Sequence, residues 1–330
     1  MLTDDKRRRL RDGMVIPAHP LALRADRTLD EPRQRALTRY YLDSGAGGVA
    51  VGVHTTQFEI RDHGLYEPVL RLAATEAGPE PLLVAGVLGP TERAVAEAKC
   101  AADLGYDLAL VAMPGWGDAA ETEILAGVRA VAEVLPVFGF YLQPALGRRR
   151  FGYEFWRAYA GIPGVEAIKI APFDRYATLD VVRAVVDAGR AGEVALYTGN
   201  DDSIVVDLLT PYRFGDVTVH IVGGLLGQWA LWTPAAVALH AQARDIVRAG
   251  APVPLELLAR GAALTEVNGA VFDAAHEFAG SIAGVGEVLT RQGRVAGNWC
   301  LAEHERLSPG QAEAISRVVA GYPDVTGGGP

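Results

Sequence analysis

The heptapeptide Val165-Glu166-Ala167-Ile168-Lys169-Ile170-Ala171 reads as a short strand with a lysine in its apolar middle. Runs of four to eight residues rich in Val, Ile, Leu or Phe are expected of strands buried on both faces. Seven more occur, at 14–18, 48–53, 82–88, 108–113, 137–142, 194–198 and 217–222. Helical stretches separate them. Asp30-Glu31-Pro32 opens one over 33–43, with an acidic start and a proline in the first turn, and Gly45-Ala46-Gly47-Gly48 stops it. Others span 91–104 and 179–188 and close at Gly105 and Gly189.

The strand–helix alternation carries no antiparallel hairpin signal, which predicts a parallel sheet. About eight such units fit in the first ~235 residues, the usual extent of a (β/α)8 barrel. An open doubly wound sheet is the rival, but no Gly-x-Gly-x-x-Gly turn follows the first run. After Trp232-Thr233-Pro234 the strand signal vanishes. Residues 235–249, 254–279 and 308–319 read as helices. The predicted organisation is an α/β fold: a catalytic (β/α)8 (TIM) barrel over 1–235 and a C-terminal helical appendage over 236–330. Its Gly-Gly-Gly-Pro tail is expected to be disordered.

The chain has 330 residues, half of them apolar, and a net charge of −9. That composition suits a globular α/β protein and gives no electrostatic footprint for nucleic acid. Cys100 and Cys300 offer neither a disulfide framework nor zinc spacing. The charged start has no apolar signal-peptide core, and no apolar run reaches the ~18 residues of a membrane span. A cytoplasmic protein with no membrane partner is expected. Lysine occurs only at Lys6, Lys99 and Lys169.

In a barrel of this kind chemistry gathers at the C-terminal strand ends. The runs end, in order, at Pro17-Ala18-His19-Pro20, His54-Thr55-Thr56-Gln57, Gly89-Pro90, Pro114-Gly115-Trp116, Tyr141-Leu142-Gln143-Pro144, near Lys169, at Thr198-Gly199-Asn200-Asp201-Asp202 and at Gly223-Gly224. Alternation puts Lys169 on one side with Val165, Ala167 and Ala171. A buried ammonium loses proton affinity and becomes a nucleophile for ketones; a lysine paired with a carboxylate or reaching the rim is the alternative. Tyr141 shares a face with Val137 and Gly139, and is either a proton relay or a core tyrosine. Thr55 and Thr56 suit a small carboxylate or a helix cap. His19 and His54 sit at strand ends and suit substrate contact; no third ligand has metal spacing. Gly223-Gly224 could cradle a phosphate or permit close backbone approach. Arg148-Arg149-Arg150 suits a second carboxylate or a solvated run.

As an ordered set, Thr55-Thr56, Tyr141-x-x-Pro144 and Ile168-Lys169 resemble the dihydrodipicolinate synthase/N-acetylneuraminate lyase family over residues 13–323. The resemblance implies a class I, Schiff-base-forming lyase acting on pyruvate or another 2-keto acid, without cofactor or metal, and a homo-oligomer (tetramer or dimer). It implies that Lys169 forms the imine, Tyr141 moves protons, and Thr55 and Thr56 hold the carboxylate, with one threonine hydroxyl in the relay. Gly199, Asp202 and Ile204 would line the pocket. There are departures. His54 replaces a glycine, Gln57-Phe58 replace Gly-Glu, and Trp116 stands where a neighbouring subunit's tyrosine is expected. Leu146 falls at the position of a carboxylate-reading arginine, which Arg148 could fill only with a shifted loop. Condensation as in lysine biosynthesis is therefore not expected. Aldol cleavage or joining, dehydration of a 2-keto sugar acid through the same imine, and keto-acid binding without turnover stay open. His19, His54, Gln57, Glu59 and Trp116 are candidates for choosing the substrate.

Overall fold

The computed structural model describes residues 2–327; the expectation for the tail beyond lies outside them. Eight parallel strands are β1 (Val15–Pro17), β2 (Gly48–Val51), β3 (Leu82–Leu88), β4 (Leu108–Ala112), β5 (Val137–Leu142), β6 (Val165–Ala171), β7 (Ala195–Thr198) and β8 (Ile221–Leu226). They pair in the order β1-β8-β7-β6-β5-β4-β3-β2. The ring closes where Ala18 bridges Ala50 and the His19 N–H donates to Ala50 O at 2.8 Å. With helices between the strands and further helices after them, this is a (β/α)8 barrel.

Burial on both faces of the strands follows from two apolar layers. Ile16, Leu110, Phe138, Tyr197 and Leu225 fill the interior. Val111, Tyr141, Ile168 and Val182 belong to the layer between strands and helices. The floor is closed by the helix Asp4–Asp12, capped by Thr3, with acidic residues in its first turn and arginines in its last, as the helix dipole favours. Lys6 pairs with Asp107 at 2.7 Å, and Arg7 Nε donates to both oxygens of Glu166 at 3.1 Å. The Tyr197 hydroxyl donates to Leu10 O at 2.8 Å.

Two expected elements are placed differently. The run 217–222 is not the eighth strand. Val217–Val219 pairs antiparallel with Tyr212–Phe214, a hairpin the sequence reading did not foresee. Gly215 turns that chain with φ +59°, and only the continuation beyond Val219 enters the barrel. Gly223 and Gly224 thus lie within β8 rather than at its end. A Cβ on Gly223 would stand 2.5 Å from Met14 O, and one on Gly224 2.5 Å from the Trp229 ring. Close packing explains these glycines; they cradle no phosphate.

The helix expected over 254–279 stops at Val271 (Leu255–Val271), and a new helix runs Ser281–Arg291. No proline marks this break. Asp273, Glu277 and Phe278 take positive φ of 58°, 53° and 68°, a conformation unfavourable for non-glycine residues unless surroundings impose it. Here the Asp273 carboxylate accepts the Gly280 N–H at 2.9 Å and bonds His276 Nδ1 at 2.6 Å. A Cβ on Gly284 would lie 1.8 Å from Val271 O, so only glycine lets the second helix start so close to the first. The break delivers Phe272, Phe278 and Ser281 to the C-terminal end of the barrel. Among the described residues no helix is long and apolar enough to cross a membrane.

Candidate active site

A cleft of about 560 Å³, counted to its open mouth, lies at the C-terminal ends of the strands. Lys169 stands on its wall. Register pairs Lys169 with Phe140 on one side and Tyr197 on the other, and its inward neighbours are Ala167 and Ala171. Val165, expected on this side, belongs to the outer layer, because the β5–β6 register shifts beside it. Small neighbours leave the lysine a channel. The ammonium lies 4.2 Å from the centre of the Phe140 ring, a cation–π contact. No carboxylate reaches within 4.0 Å of it among the described residues. Burial holds the amine below the ordinary lysine range, and the Asp201 charge partly restores it. The room for Lys169 is made by Gly199, where a Cβ would stand 2.5 Å from Lys169 Cε and 2.8 Å from Ala171 Cβ.

The chain leaves β2 in a 3-10 turn, His54–Thr56. His54 and Thr55 line the cleft; Thr56 does not. Thr55 Oγ1 donates to Ala18 O at 2.9 Å. Thr56 Oγ1 donates to His19 O at 2.7 Å and accepts the N–H groups of Gly52 and Val53 at 3.0 and 3.2 Å. Its hydroxyl is consumed in tying the turn to β1 and β2. Burial first, and the Lys169 charge second, pull the His54 pKa down to about 4, so its imidazole is neutral at pH 7.

His19 does not face the cleft. It is fully buried, with Nδ1 2.8 Å from Pro20 O and 3.0 Å from Gln34 Nε2, and Nε2 2.9 Å from Thr38 Oγ1. Burial pulls its pKa from 6.5 to about 4. Between those values the unfolded chain binds a proton that the folded chain refuses. The stability this histidine contributes is therefore intact above about pH 6.5 and lost as pH falls toward 4, on the order of 3 kcal/mol at full effect. Urea unfolding between pH 7 and 4.5 is expected to show this slope, and His19→Gln to reduce it by about half, because His54 is lowered to about 4 as well.

Tyr141 is the main departure from the sequence reading. It does share a face with Val137 and Gly139, but that face points out of the barrel, toward Trp156 (5.0 Å between rings) and Phe151. Its hydroxyl accepts the Phe151 N–H at 3.3 Å and does not reach the cleft. Alternation sets which residues share a side; it does not say which side is inward when both are apolar. Phe140, which has no proton to give, occupies the inward place beside Lys169. Tyr141→Phe is therefore expected to cost about 1 kcal/mol of stability and to leave adduct formation with a keto acid within about twofold, measured by unfolding and by trapping kinetics.

After β7, Asp201 rather than Asp202 or Ile204 lines the cleft. Asp202 is exposed, and Ile204 is buried at the start of the helix Ile204–Leu209. Gln57 Oε1 accepts the Leu301 N–H at 2.6 Å, and Trp116 Nε1 donates to Thr91 Oγ1 at 3.2 Å; neither lines the cleft. Arg148 is exposed in a left-handed turn, while Arg150 pairs with Asp174 at 3.0 Å. Gly227, directly after β8, takes the place expected of Gly223-Gly224. The sequence reading also missed Phe140, Phe173, Phe272, Phe278 and Ser281. Phe140 carried a signal, its parity with Lys169 across β5 and β6; the residues after 271 carried none, because their place depends on the broken helix. Among the described residues no group of three or more His, Cys, Asp or Glu side chains is placed to hold a metal ion.

The sequence and the fold have counterparts among known proteins. The chain is 27% identical over 217 residues to a 4-hydroxy-tetrahydrodipicolinate synthase of Desulforudis audaxviator, covering 64% of this chain and 71% of the synthase. It is 28% identical over 199 residues to an N-acetylneuraminate lyase of Citrobacter koseri, covering 59% of this chain and 65% of the lyase. Both relatives belong to the family that the ordered motifs resemble, at identities that set this chain well apart from them. No family model matches its sequence. The fold also superposes on the chloride-inhibited dihydrodipicolinate synthase of Acinetobacter baumannii complexed with pyruvate. The TM-score is 0.77 at 19% identity, over 95% of this chain and 98% of that one. This chain combines an inward lysine with a tyrosine hydroxyl turned away from it.

Proposed function

We propose that this protein is a lyase that makes or breaks a carbon–carbon bond next to the carbonyl of a 2-keto acid, by forming an imine between that carbonyl and Lys169 Nζ. The observation that carries this reading is the buried Lys169 amine, without a carboxylate partner within 4.0 Å, on the wall of a cleft at the C-terminal strand ends. An amine so placed loses proton affinity and attacks a ketone at neutral pH. Two relatives are named as a synthase and a lyase, and one structural neighbour was solved with pyruvate.

Thr55 suits the keto-acid carboxylate. The first bond of its turn is Thr56 N–H to Val53 O at 3.0 Å. The N–H groups of His54 and Thr55 precede it and have no acceptor within the turn. Gly199 clears the space for the lysine stem. The outward hydroxyl of Tyr141 favours one rival, a barrel that binds a keto acid without turnover.

Borohydride reduction with pyruvate and a panel of longer 2-keto acids, followed by peptide mass spectrometry, tests the reading. A mass increment on Lys169 is the expected result, and no increment with any of them removes the imine. Loss of an aldehyde from a hydroxylated 2-keto acid supports the lyase; an adduct with no turnover across the panel supports the rival.

A further inference from the structure

With the Tyr141 hydroxyl outside the barrel, the tyrosine does not carry the protons of the imine chemistry. We propose that Asp201 fills this role: its carboxyl, on the loop after β7, delivers and removes the protons of the reaction at Lys169. This rests on the imine reading above.

Asp201 is the one carboxyl among the described residues that line the cleft. Its Oδ1 is buried and has no hydrogen-bond partner. An unpartnered carboxyl oxygen is costly in a folded protein unless a ligand or a function uses it. The position is built. Asn268 Nδ2, from the helix Leu255–Val271, donates to Asp201 O at 2.7 Å, and Thr265 Oγ1 donates to Asp202 O at 2.8 Å. The neighbouring Asn200 turns the other way, donating to Asp207 Oδ2 at 2.9 Å and accepting the Phe173 N–H at 3.0 Å. The loop backbone is thus clamped on both sides while the Asp201 carboxyl is left free. Gly199, two residues earlier, touches the lysine stem. The charged groups that act on Asp201 are Lys169 and Asp202, and His54, on the same cleft, is neutral. Burial raises the Asp201 carboxyl above the usual range while Lys169 is lowered, so the two compete for one proton.

The proton balance closes. The neutral Lys169 amine adds to the ketone carbon, and its proton moves to the oxygen, giving a carbinolamine. Protonated Asp201 gives its proton to that hydroxyl; the C–O bond breaks, water leaves, and an iminium faces the Asp201 carboxylate. For a substrate with a hydroxyl two carbons from the iminium carbon, the carboxylate takes the hydroxyl proton. The carbon–carbon bond breaks, its electron pair enters the enamine, and an aldehyde departs. With pyruvate, the carboxylate removes a methyl proton instead, and the C–H pair becomes the enamine double bond.

Pyruvate in D2O therefore tests the proposal without knowledge of the natural substrate. Methyl deuteration is followed by NMR, with borohydride trapping in parallel. The wild type is expected to show both adduct and exchange. Asp201→Asn is expected to reach the Lys169 adduct more slowly but to the same final extent, and to lose exchange by about 100-fold or more. Asp201→Glu, with the carboxyl moved by one methylene, is expected to fall between. Exchange in Asp201→Asn within about threefold of wild type overturns the proposal. So does a wild-type adduct without exchange. If Asp201 merely holds Lys169 charged, Asp201→Asn speeds adduct and exchange together, which also overturns it. Should the asparagine variant fail to fold, glutamate exchange at or above the wild-type rate does the same. A wild type with no adduct removes the imine reading itself, and the role of Asp201 with it.

Discussion

Lys169→Ala is expected to abolish the borohydride-reducible adduct outright, with no loss of folded structure. The other lysines cannot substitute. Lys6 is held at the barrel floor against Asp107 at 2.7 Å, and Lys99 lies on the outer helix Thr91–Asp103. Lys169→Arg is expected to abolish the adduct as completely, because a guanidinium stays protonated and offers no free lone pair. The stability effect separates catalysis from scaffolding. A buried ammonium without a carboxylate partner within 4.0 Å is a burden to the fold. Lys169→Met, which keeps the apolar stem, is expected to unfold at the same temperature as wild type or above it. A scaffolding lysine would behave oppositely: its loss would lower the melting temperature by several degrees. Thermal unfolding beside adduct mass spectrometry decides between them.

The second large effect is expected at a residue with no reactive atom. Gly199→Ala adds one methyl group, 2.5 Å from Lys169 Cε and 2.8 Å from Ala171 Cβ. Both distances are below van der Waals contact, and Ala171 is fixed in β6. Gly199 has no positive φ, so the backbone accepts alanine and the conflict is with Lys169 and Ala171 alone. The lysine is the movable partner. Displacing a reacting group by about 1 Å costs on the order of 100-fold in rate. The adduct is expected to form about 100-fold more slowly, with a stability loss of about 1–3 kcal/mol from overpacking. Stopped trapping at timed intervals measures the first and denaturant unfolding the second. An unchanged trapping rate would show that the lysine stem has another route to the cleft.

The residues that resemble the family are present in the expected order, yet the structure separates them. Lys169, Thr55 and Gly199 meet at one cleft, whereas Thr56, Tyr141 and His19 are structural. Lys169 was legible because an ammonium in an apolar strand is chemically conspicuous. Tyr141 was misplaced because strands apolar on both faces leave the inward direction open, and one position decides between a phenol and a phenyl ring beside the amine. Asp201 was hidden beside Asp202: two adjacent carboxylates on a loop look alike until the backbone turns one inward.

The sequence by itself determined the eightfold strand–helix alternation, hence the barrel, because short doubly buried strands and capped helices are local patterns. It also determined that a scarce lysine lies in the apolar middle of one of those strands. Tertiary structure alone decided what surrounds the amine. The helix break after Val271 is held from some forty residues on by Gln311, whose Nε2 donates to Val271 O and Gly280 O at 3.1 Å, and it brings Phe272 and Phe278 to the cleft. The Asp201 carboxyl is turned in by a loop that Asn268 and Thr265 clamp from a helix more than sixty residues away in sequence. Such placements depend on contacts between distant segments, and local periodicity carries no record of them.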